Sequence, residues 1–329
     1  MDVQPSAPAP APNGPCSTAS WVGGWPAVSY RPAGDRSVLV EYGAPRFDLR
    51  LNFFVQHMLR ALTAAAPPGL VDAAPGLRSV LVRFDPARTG RDALVGRLRE
   101  LHDRQPGPAG LTLPSRRVVL PLAFDDSRTR EAVHRYATTV RQDAPNTRGG
   151  NNVDYIVAQN ALPDREALYA AVLETEWWTA FTGFAPGLPF TFPLHARARA
   201  PLSVPKYNPT RAWTPEGAVG LGGPCLAVYP MQAPGSFQLL GRTLPIYDLL
   251  ARNRVFHGDP FLLRAGDRVC FTRVEEAELL RLREQALEDR YTYRIEDAPL
   301  AVTDHLGGAD AAHEWDGAAD RAWDEAEVP

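Results

Sequence analysis

The run PKYNPTR (205–211) brings an ammonium, a carboxamide and a guanidinium together in a few residues, and its Lys206 is the only lysine among the 35 Lys and Arg of the chain. Pro205 and Pro209 bracket it. A residue that precedes a proline is biased to extended backbone. In an extended stretch Lys206 and Asn208 point to one side and Tyr207 to the other. Asn208-Pro209 reads as a turn, after which Arg211 returns toward the other two. Such a set suits a small planar substrate carrying amide or carboxylate groups. Lysine offers a compact charge, arginine a bidentate fork, and asparagine both donates to and accepts from an amide. The competing reading is a surface loop with a chance lysine.

A second candidate is MQAPGSFQLLGRT (231–243). Its alternation leaves two readings for Gln238, facing a pocket or pairing across a sheet, and two for Arg242, binding an anion or stapling strands. In TGFAPGLPF (182–190), Gly187 belongs to a stiff loop that a ligand could approach closely; a plain structural turn explains it equally well. AVGLGG (218–223) ends in Gly222 and Gly223 but lacks the Lys-Ser/Thr of a P-loop, which makes it weak as a phosphate cradle. All three glycines stand as substrate-contact candidates. The histidines are scattered, no HExxH or GxSxG occurs, and Cys16, Cys225 and Cys270 have no zinc-like spacing. Neither a metal centre nor a serine triad is expected.

These residues need a frame. With 45% hydrophobic and 22% charged residues, the chain has a globular composition. Its net charge of −3 argues against a general nucleic-acid binder. No apolar run reaches membrane-spanning length and no signal peptide is visible, so a cytoplasmic protein with reduced thiols is expected. Residues 1–25 read as a disordered Pro/Ala-rich tail and 299–329 as an acidic one. Over 26–115, a strand at 36–42, a helix capped by Asp48 with Leu51, Phe54, Val55, Met58, Leu59 and Leu62 inward, strands around 70–73 and 77–84, and a helix opened by Thr89 or Asp92 form the body of a split βαβ pattern. The strand 116–124 completes it or begins the next unit. Residues 126–175 read as a helical insertion. From Trp177 to Phe271, short apolar runs punctuated by Gly and Pro read as strands closing into a barrel or sandwich, followed by a surface helix at 275–290.

YRPAGDRSVLVEYG, APGLRSVLVRFDP, VVLPLAFDDS, NNVDYI, KYNPTRAWTPEGAVGLGG, YPMQAPGSFQLLGRT and DPFLLRAGDRVCF occur in an order that resembles one family. It is the Kip-type family, which includes the first half of the carboxyltransferase component of biotin-dependent urea carboxylase and the small subunit of bacterial 5-oxoprolinase. KYNPTRAWTPE is similar to the urea-carboxylase side and TGFAPGLPF to the Kip-type side. The resemblance implies an α+β fold, a ferredoxin-like N-terminal domain followed by a cyclophilin-like β-barrel (116–298). It also implies a separate Kip-A-like second subunit, carboxybiotin delivered by a separate carrier protein with nothing bound covalently to this chain, and possible association with a biotin carboxylase and an amidase. On this reading Lys206 and Arg211 meet carboxylate or CO₂ oxygens and Asn208 meets the substrate amide, with Tyr207, Gln238 and Arg242 as supporting contacts. Alternatives are a 5-oxoprolinase-type subunit working without biotin, a non-catalytic regulatory module, and an enzyme recruited to specialised metabolism.

Overall fold

The structure, a computed structural model, describes residues 26–45, 47–105, 107, 110–194 and 202–305. The expected N-terminal tail and the acidic stretch from 306 onward lie outside the described residues.

The first unit contains β1 (Val28–Pro32), β2 (Ser37–Tyr42), α1 (Leu49–Ala65), β3 (Leu70–Pro75), β4 (Ser79–Phe84) and α2 (Arg91–Asp103). Its four strands form an antiparallel sheet in the order β1-β2-β4-β3. This is the ferredoxin-like arrangement, with one difference from the sequence reading. The edge place beside β2, which a strand after α2 would take, is filled by β1 from the N-terminal side. The short β1 has no fully buried residue, so its pattern carries little hydrophobic signal. Asp48 caps α1 by accepting from the Arg50 N–H at 3.0 Å. Leu51, Phe54, Val55, Met58 and Leu62 of α1 pack with Val38, Val40, Val80, Val82, Leu94 and Leu98 in one apolar core. The cap of α2 is Gly90, without a side-chain bond, rather than Thr89 or Asp92. Thr89 instead lies buried.

The second unit contains β5 (Thr112–Leu113), β6 (Arg116–Phe124), α3 (Ser127–Thr139), α4 (Val153–Gln159), α5 (Arg165–Leu173), β7 (Trp177–Thr182), β8 (Pro189–Pro193), β9 (Arg211–Thr214), β10 (Ala218–Gly222), β11 (Cys225–Val228), β12 (Ala233–Gly235), β13 (Gln238–Arg242), β14 (Arg268–Arg273), α6 (Glu276–Leu287), β15 (Arg294–Asp297) and β16 (Leu300–Ala301). Strands β13-β10-β11-β8-β7-β14-β6 run in that order, and β13 pairs back onto β6, so seven strands close into a barrel. Closure requires a glycine: a Cβ on Gly241 would collide with the Ala123 carbonyl and the Phe124 backbone. Only the β6–β14 contact of this ring is parallel. β15 adds to β6 outside the ring, and α3, a 3-10 turn at Pro145–Gly150, α4 and α5 form the helical insertion. Residues 299–305, expected as the start of the acidic tail, hold β16 against β5 with Leu300 and Val302 buried. The two units meet at α1 and β7, where Trp178 Nε1 donates to Asn52 Oδ1 at 2.8 Å and Gln56 Nε2 donates to the Ala180 carbonyl at 2.7 Å. Among the described residues no helix is long and apolar enough to cross a membrane.

Candidate functional site

The segment that carries Lys206 has almost no regular structure, so its position depends on individual bonds. Val204 makes an isolated bridge to Gly223, whose N–H donates to the Val204 carbonyl at 2.8 Å. Gln238 Nε2 donates to the Pro205 carbonyl at 2.8 Å. The Tyr207 N–H donates to the Ser236 carbonyl at 2.6 Å. Beyond Tyr207 the Asn208–Pro209 peptide is cis. The Asn208 carbonyl accepts from Arg141 Nη1 at 3.2 Å and the Pro209 carbonyl accepts from the Tyr136 hydroxyl at 2.9 Å, both from the insertion.

The alternation read from the sequence holds. Lys206 and Asn208 are exposed, while Tyr207 between them is buried. The Lys206 ammonium stands 5.2 Å from the centre of the Phe237 ring. That ring packs on Gly222, where a Cβ would come within 2.5 Å of it. Cys225 is buried within reach of the Lys206 charge. Burial pushes its thiol up to about 12 against the opposing pull of that ammonium, which leaves it protonated and a poor nucleophile at neutral pH. Gly223 has φ +55 and open space around it.

Arg211, at the start of β9, is 1% exposed. Its guanidinium lies 4.3 Å from the centre of the Tyr207 ring. Nη1 donates to the Phe237 carbonyl at 2.7 Å and Nη2 to Thr214 Oγ1 at 3.2 Å, while Nε is buried without a partner. Lys206 and Arg211 therefore both meet Phe237, the ammonium at its ring and the guanidinium at its carbonyl. Lys206 is open to solvent and Arg211 is sealed under Tyr207. No carboxylate neutralises Arg211 through these contacts.

Gln238 and Arg242 occupy β13 and are buried. Gln238 Oε1 accepts from Asn146 Nδ2 at 3.1 Å, so its side chain ties the insertion to the Pro205 carbonyl. Arg242 Nε faces Asp126 Oδ1 at 3.4 Å. Burial, reinforced by neighbouring Arg283, lowers the Arg242 pKa, and Arg283 itself bonds the Thr243 carbonyl and Glu216. Gln238 thus spends its amide on Pro205 and Asn146, and Arg242 faces a carboxylate at the start of the insertion. Gly187 sits apart from this cluster, in the β7–β8 turn, with φ +71 and the Phe261 ring against it.

Two residues of this site were not singled out from the sequence. Asn152 Nδ2 donates to the Asn146 carbonyl at 2.7 Å, and its Oδ1 accepts from the Leu239 N–H at 2.8 Å. The Tyr207 hydroxyl lies 2.7 Å from Asn152 Nδ2 and 2.9 Å from Oδ1. Asn146 and Asn152 fall in a polar stretch that looks like a helix breaker, and nothing in their spacing distinguishes a breaker from a buried clamp. Among the described residues no group of three or more His, Cys, Asp or Glu is placed to hold a metal ion.

A family profile described as "Carboxyltransferase domain, subdomain C and D" matches residues 28–256. Urea amidolyase of Lachancea kluyveri is 35% identical over 284 residues, 85% of this chain but 15% of that protein. A 5-oxoprolinase subunit of Bacillus subtilis is 27% identical over 258 residues, 77% of this chain and 95% of that protein. Among solved structures, urea carboxylase of Kluyveromyces lactis superposes with a TM-score of 0.76 at 32% identity, covering 92% of this chain and 26% of the other. The chain thus spans a small part of the urea amidolyases and carboxylases it matches, and nearly the whole length of the Bacillus subtilis protein.

Proposed function

Because this chain belongs to the family of carboxyltransferase domains, subdomains C and D, we propose that it is one part of a biotin-dependent carboxyltransferase acting on a nitrogen of urea or a related amide or guanidine. A separate Kip-A-like partner completes the site. The observation that carries this reading is the 35% identity to a urea amidolyase across 85% of the chain, through both units and the Lys206 segment. Carboxybiotin, brought by a separate carrier, supplies the carboxyl group. The residues present fit such a group: an exposed ammonium beside an aromatic ring, next to a glycine pair with open space at Gly223.

The placement of these side chains supports the following roles. Lys206 is the cation that carboxylate or CO₂ oxygens reach, and it stabilises negative charge as it develops. Asn208, also exposed, orients the substrate amide. Arg211 and Gln238 act from behind by fixing Phe237 and Pro205, and Arg242 secures β13 to the insertion through Asp126. Prepositioned groups of this kind lower the barrier by holding reactants in reacting geometry.

The test is reconstitution with the partner subunit, a biotin carboxylase and a carrier, followed by ATP- and bicarbonate-dependent carboxylation of urea. Avidin abolishes the activity if the reading holds, and Lys206→Met lowers turnover far more than thermal stability. Avidin-insensitive, ATP-dependent opening of 5-oxoproline with an amidohydrolase-type partner selects the second reading, a 5-oxoprolinase-type subunit. The observation favouring that reading is the 95% coverage of the Bacillus subtilis 5-oxoprolinase component.

A further inference from the structure

The exposed Lys206 is held by buried amides. Its backbone lies between two anchors, the Pro205 carbonyl bonded by Gln238 and the Tyr207 N–H bonded to Ser236. Tyr207 is fixed in turn by its hydroxyl on Asn152. Asn152 is 1% exposed and spends its side chain on the Asn146 carbonyl, the Leu239 N–H and Tyr207. It also stands at the N-cap of α4, where asparagine normally bonds the first free N–H groups, yet it makes no side-chain cap. The residue has given up the local bond its type favours for contacts with three groups, two of which, Leu239 and Tyr207, lie in the barrel and the Lys206 segment.

An apolar plug would fill this space without the desolvation of three amides. Buried polar networks fix one geometry among several that apolar packing tolerates. The geometry fixed here is that of the backbone between Pro205 and Tyr207, which presents Lys206 with its ammonium over Phe237.

We propose that Asn152, acting through the Tyr207 hydroxyl, is a positioning residue for Lys206. It sets where the ammonium stands relative to Phe237 without itself touching substrate. The catalytic consequence rests on the carboxyltransferase reading; the geometric one does not.

The single lysine makes the test clean. Reductive methylation with ¹³C-formaldehyde labels Lys206 and the chain's α-amine, and the resonance missing from labelled Lys206→Met is assigned to Lys206. In the wild-type protein the Lys206 methyl resonance is displaced by the Phe237 ring current. Tyr207→Phe keeps the ring that covers Arg211 and removes only the hydroxyl. It is expected to return the resonance to the free-lysine position. In the unlabelled reconstituted complex it lowers kcat by about 10-fold or more and changes KM less than about 2-fold. Asn152→Ser gives the same pair of effects and serves if Tyr207→Phe does not fold. A folded variant whose lysine resonance stays in place overturns the inference, whatever its turnover. If the resonance moves in both variants while Lys206→Met turns over normally, the positioning inference stands and the assigned role of Lys206 falls.

Discussion

The ferredoxin-like unit and the barrel solve the burial problem differently. In the first unit, of residues 26–105, Asn52, Gln56 and Thr89 are the buried polar residues among those described, and the first two serve the junction with β7. Its core is otherwise leucine, valine, Met58 and aromatic rings. The barrel and its insertion bury many more, Asp248, Asn253 and Asp267 among them, and six of these, Asp126, Asn146, Asn152, Arg211, Gln238 and Arg242, lie around β13 and the Lys206 segment. Burying such groups weakens a fold unless each finds partners. The contrast separates a unit stabilised by volume, which tolerates many sequences, from one in which specific bonds set a geometry.

Arg211 is where breaking the contrast has the largest effect. Arg211→Ala removes the bonds to Phe237 and Thr214 and opens a void under Tyr207. The expected loss is about 4 kcal/mol, read as a lowered urea midpoint, together with displacement of the Lys206 methyl resonance. Leu94→Ala, at a position 0% exposed in the first unit, is expected to cost about 3 kcal/mol and to leave that resonance where it is. Comparable stability losses with opposite site readouts would establish that the two units are built for different ends. A shift of the lysine signal in Leu94→Ala would erase the distinction.

The same contrast governs what the sequence could reveal. The first unit was legible because burial there follows helical and strand periodicity: Leu51, Phe54, Val55, Met58 and Leu62 form the stripe expected of α1. Its departures are β1, an edge strand with no fully buried face, and the cap of α2, which falls on Gly90. In the barrel, Gly and Pro punctuation announced short strands, and the exposed-buried-exposed alternation of Lys206, Tyr207 and Asn208 followed from extended backbone alone. What sequence could not supply was the partner of each polar group. Gln238 and Arg242 alternate correctly with their neighbours, but whether an amide meets a ligand or a main-chain carbonyl depends on a segment some thirty residues or more away. Asn152 was hidden for the same reason, since its contacts reach 55 and 87 positions along the chain. The resemblance to a known family placed the fold; it did not identify the clamp.

A smaller effect is expected at the glycine that lets Phe237 close over the barrel. Gly222→Ala sets a methyl within 2.5 Å of that ring. Overpacking of this kind costs about 2 kcal/mol, and moving the ring withdraws it from beneath the Lys206 ammonium. A crystal structure of the variant measures both the ring displacement and the new path of Lys206. An unmoved ring would mean that β10, not Phe237, gives way.

The smallest effect belongs to the first unit and is a matter of pH. His102 Nδ1 lies 2.6 Å from the Leu98 carbonyl and so carries the proton. Nε2, 3.0 Å from the Tyr42 hydroxyl, accepts from it, and Tyr30 and Phe54 flank the ring, with Arg99 and Asp103 nearby. Burial holds the His102 pKa below its ordinary value, opposed by the Leu98 carbonyl and Asp103. A histidine depressed in the folded state binds its proton more readily when the chain unfolds. The stability it contributes is therefore complete above about pH 6.5 and is lost as pH falls through the folded value. The lowered carboxylates Asp154 and Asp248 have ordinary values near 4, so their loss comes at more acid pH, and Asp126, whose pKa burial raises, is common to both proteins and cancels when the variant is compared with the wild type. The melting temperature is expected to fall between pH 7 and pH 5 in the wild type and to fall less in His102→Gln. The Lys206 resonance should stay in place across that range, because the contacts of His102 among the described residues, Tyr30, Tyr42, Phe54 and Leu98, all lie in the first unit. Equal slopes in the two proteins would remove His102 as the cause, and a moving lysine signal would mean that the units communicate after all.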